Sequence, residues 1–366
     1  MGSHTSRIDS FFLISVSVLT LAGFVIFLSA SLGLLTQDNV SFGTVAMKQV
    51  ISLVLGIAAF IFFSKVKYTN LKKIAFFVLI GAIAVNLLLF IPSLSLFHGG
   101  ASRWINIGPF SFQPSEFLKI AFIIYLAAWI QFAKDKITHF KFGLFPYMVI
   151  TIILGILLLA QSDTDTFLII AFTGAIMLLV GGMPIKHMLL AGAGLVLVVV
   201  GVVLLRPYAF QRVETFFSGG DARGSGYQIN QSLIAIGSGQ FTGRGFGQSI
   251  QKFGYLPQPT DDSIFAVASE EFGFIGSTLL VALYILLIIS IFRIANRSPD
   301  VFGSMVAVGI GVLIITESFL NMSAMLGIVP LSGVPLLFVS HGGTALIIIL
   351  AASGIVANIS RYGREV

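Results

Sequence analysis

The stretch LPQPTDDSIFAVASEEFGFIG, residues 256–276, governs how the rest of the chain is read. It runs from a turn rich in Pro and Asp into an apolar segment. Yet it carries Asp261, Asp262, Glu270 and Glu271, four of only 15 acidic residues in the chain. Pro259 and the polar residues 260–263 start a helix, with Asp262 expected as its N-cap. Glu270 and Glu271 then lie about 12–14 Å along that helix, at roughly 1.5 Å per residue. At about 100° per residue, Glu270 turns roughly 80° from Asp262 and Glu271 lies nearly opposite. One glutamate is expected to share a cavity with Asp262 and the other to meet a cation on a neighbouring helix. Lipid cannot solvate such groups, so they face protein or a polar cavity.

The surrounding composition makes the helix a membrane span. Of 366 residues, 57% are hydrophobic and 10% charged, against about 25% charged in soluble domains, and the mean hydropathy is +1.01. Ten apolar segments are predicted near 11–35, 46–64, 73–92, 115–133, 143–161, 165–182, 187–205, 263–292, 301–320 and 344–360. The expectation is an all-α integral membrane protein, one polytopic domain over 11–366 with a long extracytoplasmic loop at 206–262. Residues 1–10 are set aside from the fold, as an N-terminal tail or a remnant of expression. No cysteine is present, so neither a disulfide framework nor a thiolate metal site is available. Lys65, Lys67, Lys72, Lys73, Lys134, Lys136, Lys141, Lys186, Arg293, Arg297, Arg361 and Arg364 fall in short segments on one side. The positive-inside rule makes that side cytoplasmic, with both termini there. The net charge of +6 therefore reports orientation first, and no nucleic-acid partner is expected.

The outward segments 93–116, 161–166, 206–262 and 321–343 hold the chemistry. Gln113-Pro114-Ser115-Glu116 reads as a helix start with a Ser cap, and Glu116 and Lys119 are i,i+3 neighbours. They form either a local ion pair or a lysine awaiting an anionic ligand. The long loop combines Arg206, Arg212, Arg223, Arg244 and Lys252 with Gly243, Gly245 and Gly247. Such glycines make turns or let backbone N–H groups approach a phosphate. Asp163 and Asp165 in QSDTDTF, residues 161–167, read as solvation of a short hinge. His98, His139, His187 and His341 lack metal-ligand spacing, and there is no nucleophilic Ser/His/Asp set. Charges gathered at one face, with no inverted repeat, favour an enzyme over a transporter. A pure scaffold would not need the loop cations.

The segments GGASRWINIGPFSFQPSEFLK (99–119), YQINQSLIAIGSGQFTGRGFGQSIQKFGYLPQPTDDSIFAVASEEFGFIG (227–276) and GIVPLSGVPLLFVSHGGTALIIILAASGIVANISR (327–361) resemble the shape, elongation, division and sporulation (SEDS) family. The compact length is more similar to its elongation branch than to its division branch. The resemblance implies ten spanning helices in the bacterial cytoplasmic membrane. It also implies a peptidoglycan glycosyltransferase that polymerises lipid II beside a class B penicillin-binding protein, a transpeptidase with one span. A lipid II flippase and a transpeptidase scaffold are the alternatives. The family's essential acid matches Asp262, with Asp261 as its rival because Thr260 is displaced by one position. Arg103-Trp104, residues 113–116 and Lys119 match further motifs. The family's Gln-Pro-Asp-x-Gly-Thr pattern departs here to Gln161-Ser162-Asp163-Thr164-Asp165-Thr166, and its Ser-Tyr-Gly-Gly to Ser340-His341-Gly342-Gly343.

The implied reaction needs a base at the acceptor sugar hydroxyl and cations at a polyprenyl pyrophosphate leaving group. Asp262 is the candidate base. Arg212, Lys119, Arg103, Arg244 and Lys252 are candidate substrate contacts, with Glu116, Glu270, Glu271 and Asp163 in support. The sequence requires no cofactor, and a divalent cation, Mg or Mn, on Asp262 is compatible with it. Gly303, Gly309 and Gly311 mark the ninth span as the expected docking face for the transpeptidase.

Overall fold

Several helix starts in this chain are marked by acids and prolines. In the computed structural model, which describes residues 7–36, 42–98, 101–108, 110–219, 224 and 226–363, the Asp9 carboxylate accepts from Phe12 N and begins α1 (Ser10–Ser31). Asp9 also pairs with Arg293, so Asp9 belongs to the fold rather than to a tail, while residues 1–6 lie outside the described residues. Helices α2 (Phe42–Lys65) and α3 (Tyr68–Leu87) follow. Pro114, at the first position of α4 (Pro114–Ala133), has no N–H to leave unpaired. Then come α5 (Leu144–Ala160), α6 (Thr164–Val180) and α7 (Ile185–Leu205). The chain ends with α10 (Ile264–Arg297), α11 (Val301–Met325) and α12 (Gly343–Ser360). These ten apolar helices fall on the ten predicted segments. Eight are long and apolar enough to cross a membrane. The other two, α5 and α6, have 17 residues each, at the short end of the range for a span.

Two features of the outward segments were not predicted. Residues 95–112 form an antiparallel sheet of β1 (Ser95–His98), β2 (Ala101–Ile107) and β3 (Phe110–Phe112), in that order. Its register pairs Ser95 with Ile105 and Ile105 with Phe112. The long loop also contains two 12-residue helices, α8 (Pro207–Ser218) and α9 (Tyr227–Ser238). Arg223 and Arg364 lie outside the described residues.

The bundle is built on close approach at small residues, as expected where lipid removes the hydrophobic drive between helices. Helix α11 is its centre, packed on α4, α6 and α10. A Cβ on Gly309 would fall 2.5 Å from Ile123 of α4 and 2.8 Å from Met177 of α6. Gly303 abuts Tyr68, and Gly311 abuts Ile291. The ninth apolar helix is thus an internal packing element, which corrects its expected role as a docking face. Helix α7, by contrast, buries none of its membrane window. Side-chain amides join the helices at one end: Asn358 donates to Ser64 O at 2.8 Å and accepts from Tyr68 N at 2.9 Å. Asp9 N donates to the Ser360 hydroxyl at the same end, so the first helix starts where the last one finishes.

Helix α10 is broken at Gly273 (φ 65°, ψ −164°), a backbone region open essentially to glycine alone. The break releases backbone groups that lipid could not satisfy. The loop before the helix supplies their partners. Arg244 N and Gly245 N donate to Glu270 O and Glu271 O at 3.0 and 2.9 Å. Phe274 N and Ile275 N donate back to Gln240 O and Phe241 O at 2.8 and 3.1 Å. Gly243 and Gly245 serve this backbone insertion: a Cβ on Gly243 would sit 2.1 Å from Glu271 O.

Gly273→Ala is therefore expected to destabilise the protein by at least about 1–3 kcal/mol of backbone strain, because the new Cβ would lie 2.3 Å from Gly243 N. Gly81→Ala, at a helical position with open space around it, is the control. A wild-type thermal midpoint for Gly273→Ala in detergent would refute this account of the break.

Candidate functional site

The carboxylates of residues 256–276 separate into two groups that do different work. Glu270 and Glu271 sit in the first half of α10, both inside the protein. Glu270 accepts from Ser249 Oγ at 2.6 Å, Ile250 N at 3.1 Å and Gln251 N at 3.2 Å. It also pairs with Arg244 at 3.3 Å. Glu271 accepts from Lys252 Nζ at 2.7 Å and from Ser29 of α1 at 2.6 Å. The two glutamates fasten the loop at 244–252 to the broken helix, and neither lines a cavity with Asp262. Lys252 is fully buried in this clamp. Neither it nor Arg244 lines the cavities beside Asp262, so their expected role as substrate contacts is replaced by a structural one.

Lys119 has the same fate. It is buried between Glu116, at 2.8 Å, and Glu317 of α11, which the sequence had not connected to it. Buried cations in a bundle are tolerated when paired, and this one is paired on both sides. Residue Gln113, not Ser115, is the N-cap of α4.

Asp262 stands apart. It is 9% exposed, immediately before α10, whose N-cap is Ser263 rather than Asp262. The backbone beneath it is held at three successive carbonyls. His341 N donates to Thr260 O at 2.7 Å, Ser340 Oγ to Asp261 O at 2.5 Å, and Asn321 Nδ2 to Asp262 O at 2.7 Å. Asn321 also donates to Val334 O at 2.8 Å, tying in the segment that follows α11. The Oδ1 atom of Asp262 is buried and has no partner among the described residues.

That carboxylate lies in the wall between two cavities. One, of about 290 Å³, is lined by Arg212, Thr215, Gln228, Asp262 and Gly333 among others. The second, of about 310 Å³, includes Arg103, Gln113, Gln258, Asp261, Asp262 and His341 in its lining. Gly333 borders both at φ +63°, and a Cβ there would lie 3.6 Å from Arg212 Nη2 and 4.0 Å from Asp262 Oδ2. The guanidinium and the carboxylate thus face one another across a glycine. Arg212 is oriented by Asp165 at 3.1 Å and by Ser332 O at 3.4 Å. Asp165 is therefore an ion-pair partner rather than hinge solvation. Asp163 caps α6 through Thr166 N at 3.4 Å. It too is buried, and its Oδ2 lacks a partner among the described residues. Arg103 donates to Ser162 O, and its Nε has no partner among the described residues.

Burial pushes the Asp262 carboxyl above the usual carboxylate range, against the opposing pull of Gln228 and of the Arg212 charge. Asp261 is raised to about 7 by burial and then by the charge of Asp262. Among the described residues, no group of three His, Asp or Glu side chains is arranged to hold a metal. Asp261 and Asp262 supply two carboxylates and no third ligand. Sequence reasoning missed Gln228, Asn321, Glu317 and Gly333. Each is an ordinary residue type whose role depends on a partner far along the chain.

The profile of the FtsW/RodA/SpoVE family, described as cell cycle protein, matches residues 9–365. The stage V sporulation protein E of Bacillus subtilis (strain 168) is 37% identical over 320 residues, 87% of this chain and 87% of that protein. A probable peptidoglycan glycosyltransferase FtsW of Geobacter sulfurreducens (strain DL-1 / KN400) is 33% identical over 355 residues, 97% and 95% of the two chains. A chain of a peptidoglycan synthase complex that coordinates polymerization and crosslinking superimposes with a TM-score of 0.80 at 24% identity, covering 97% and 98%. The rod shape determining protein RodA of Thermus thermophilus gives 0.71 at 24% identity, covering 98% of each. Sporulation, FtsW and rod-shape names all occur, so the similarity marks a family rather than one branch of it.

Lys119→Ala is expected to cost about 3–5 kcal/mol, because it strands a buried carboxylate pair. Adding Glu317→Gln is expected to recover much of the thermal midpoint in detergent. A stable Lys119→Ala protein would instead return Lys119 to the list of ligand contacts.

Proposed function

Because the chain belongs to the FtsW/RodA/SpoVE family of cell cycle proteins, we propose that it is a membrane-embedded peptidoglycan glycosyltransferase that polymerises lipid II. The observation carrying this reading is the buried, part-unpaired Asp262 carboxylate between two cavities, with Arg212 facing it across Gly333. In the reaction, a hydroxyl oxygen of the acceptor sugar forms a bond to the anomeric carbon of the donor. The bond from that carbon to the pyrophosphate oxygen breaks, and its electron pair leaves with the polyprenyl pyrophosphate. Asp262 takes the hydroxyl proton. The cavity bearing Arg212 suits the pyrophosphate, since a guanidinium stabilises the charge that develops there. The cavity bearing Arg103 suits the acceptor sugar. Pyrophosphate departs as an anion, so one carboxylate suffices where glycoside hydrolysis needs two. Raising the Asp262 pKa strengthens it as a base. A divalent cation, if used, would find its carboxylate oxygens on Asp261 and Asp262, and no step is assigned to it.

The site would face outward from the bacterial cytoplasmic membrane, with both termini in the cytoplasm. This orientation rests on the Lys and Arg residues of the short loops. A strand polymerised there must be cross-linked by a second protein, and a class B penicillin-binding protein with one span is the partner proposed. The cellular role proposed is elongation, with division as the alternative. Depletion would then round the cells, and filaments would assign the protein to division instead.

Purified protein given lipid II in detergent or vesicles is expected to yield glycan polymer on a gel. Asp262→Asn is expected to abolish it with an unchanged thermal midpoint, and Asp261→Asn to retain it. Asp262 must be ionised to accept a proton, so activity is lost as pH falls through its folded pKa. The acid limb of the rate profile should therefore lie above the ordinary carboxylate value of about 3.9. Substantial polymer from Asp262→Asn would reject Asp262 as the base. Lipid II binding by the wild type without polymer would favour a flippase or a scaffold.

A further inference from the structure

The second cavity contains an imidazole that the reaction above does not use. His341 precedes α12 and lines the cavity together with Arg103, Asp261 and Asp262. Its chemistry is set by Gln49, a buried residue of α2. Gln49 Nε2 donates to Ser340 O at 3.4 Å, since a carbonyl can only accept. That fixes the amide, so Gln49 Oε1 faces His341 Nδ1 at 3.1 Å. Facing an acceptor, Nδ1 carries the ring proton, and Nε2 is left with its lone pair. Nε2 has no hydrogen-bond partner among the described residues, and it is not sealed from the cavity. Phe27 stacks on the ring with centroids 5.5 Å apart, holding its plane. Burial, and then the Lys48 ammonium, push the imidazole pKa down to about 4, so the ring is neutral near pH 7.

A fixed, neutral acceptor in the cavity of the candidate base has a clear use. We propose that His341 Nε2 accepts a hydrogen bond from a sugar hydroxyl or amide N–H of the acceptor substrate, positioning it against Asp262. The proposal rests on the glycosyltransferase reading and adds a positioning residue to it. Unlike Asp262, the ring takes no proton in the reaction. It restricts the orientation of the incoming sugar, which reduces the entropic part of the barrier.

Two substitutions separate the two nitrogens. His341→Asn keeps an N–H near Nδ1, for Gln49, and removes the acceptor facing the cavity. His341→Gln keeps an acceptor oxygen near Nε2 and loses the bond to Gln49. Both lose the stacking on Phe27. The probe is purified lipid II, with binding measured on protein also carrying Asp262→Asn and polymerisation kinetics measured without that change. His341→Asn is expected to weaken binding and raise KM roughly three- to tenfold, the size of one neutral hydrogen bond. His341→Gln is expected to stay within about twofold of wild type while showing the lower thermal midpoint of the two. Stability and substrate use should therefore rank the variants in opposite orders, which a purely structural histidine cannot produce. Equal losses in both variants, no loss in either, or a weaker His341→Gln would overturn the proposal while polymerisation by wild type leaves the function standing. If wild type neither binds lipid II nor makes polymer, the glycosyltransferase reading fails and the proposal fails with it.

Discussion

Backbone amides and carbonyls inside a membrane protein must find partners within the protein, because lipid offers none. This requirement organises the outward half of the molecule. Helix α10 is interrupted at Gly273, and the loop at 240–245 enters the gap to exchange four backbone hydrogen bonds with it. Glu270 and Glu271 then hold the following turn by accepting from Ser249, Ile250, Gln251 and Lys252. The same rule fixes the loop carrying Asp262, where three consecutive carbonyls each receive a donor from residues 321–341. The residues around Asp262 are held through their backbone, and Oδ1 of its carboxylate is left without a partner among the described residues.

The cations divide accordingly. Lys119 and Lys252 are consumed by buried carboxylates, and Arg244 is held against Glu270. Arg212 and Arg103 remain at the cavities, steadied by Asp165 and Ser332 O and by Ser162 O respectively. A site that binds a pyrophosphate needs a few well-placed charges rather than a diffuse basic surface. Here the surplus is neutralised inside the bundle.

What could be read from the sequence follows from the range of the interactions. Apolar runs of span length are local signals, and all ten matched an apolar helix. Asp262 was legible because an acid beside an apolar helix stands out, and its motif resembles a known one. The N-cap assignments at Asp262 and Ser115 failed because they presumed a capping side chain, whereas the cap positions, Ser263 and Gln113, make no side-chain capping hydrogen bond. Lys119 was misread as a ligand contact because Glu317 lies on another helix, 198 residues away. One of Glu270 and Glu271 was expected to share a cavity with Asp262 on helical geometry alone, which does not anticipate a loop folding back onto the helix to engage both. The sheet at 95–112 escaped because its strands are three to seven residues long and form no sustained alternating pattern.

The anchoring of residues 260–262 by residues 321–341 has a consequence for biosynthesis. Translation proceeds from the N-terminus, so α10 reaches the membrane before Asn321, Ser340 and His341 have left the ribosome. Until they arrive, three adjacent carbonyls beside Asp262 lack their final donors and the acid has no defined setting. A nascent chain that ends before α11 also lacks the helix on which α4, α6 and α10 pack, so the bundle and the setting of Asp262 are completed together. The Asp262 carboxylate takes up its place only with the last two helices, so the proposed site is assembled by the end of the polypeptide.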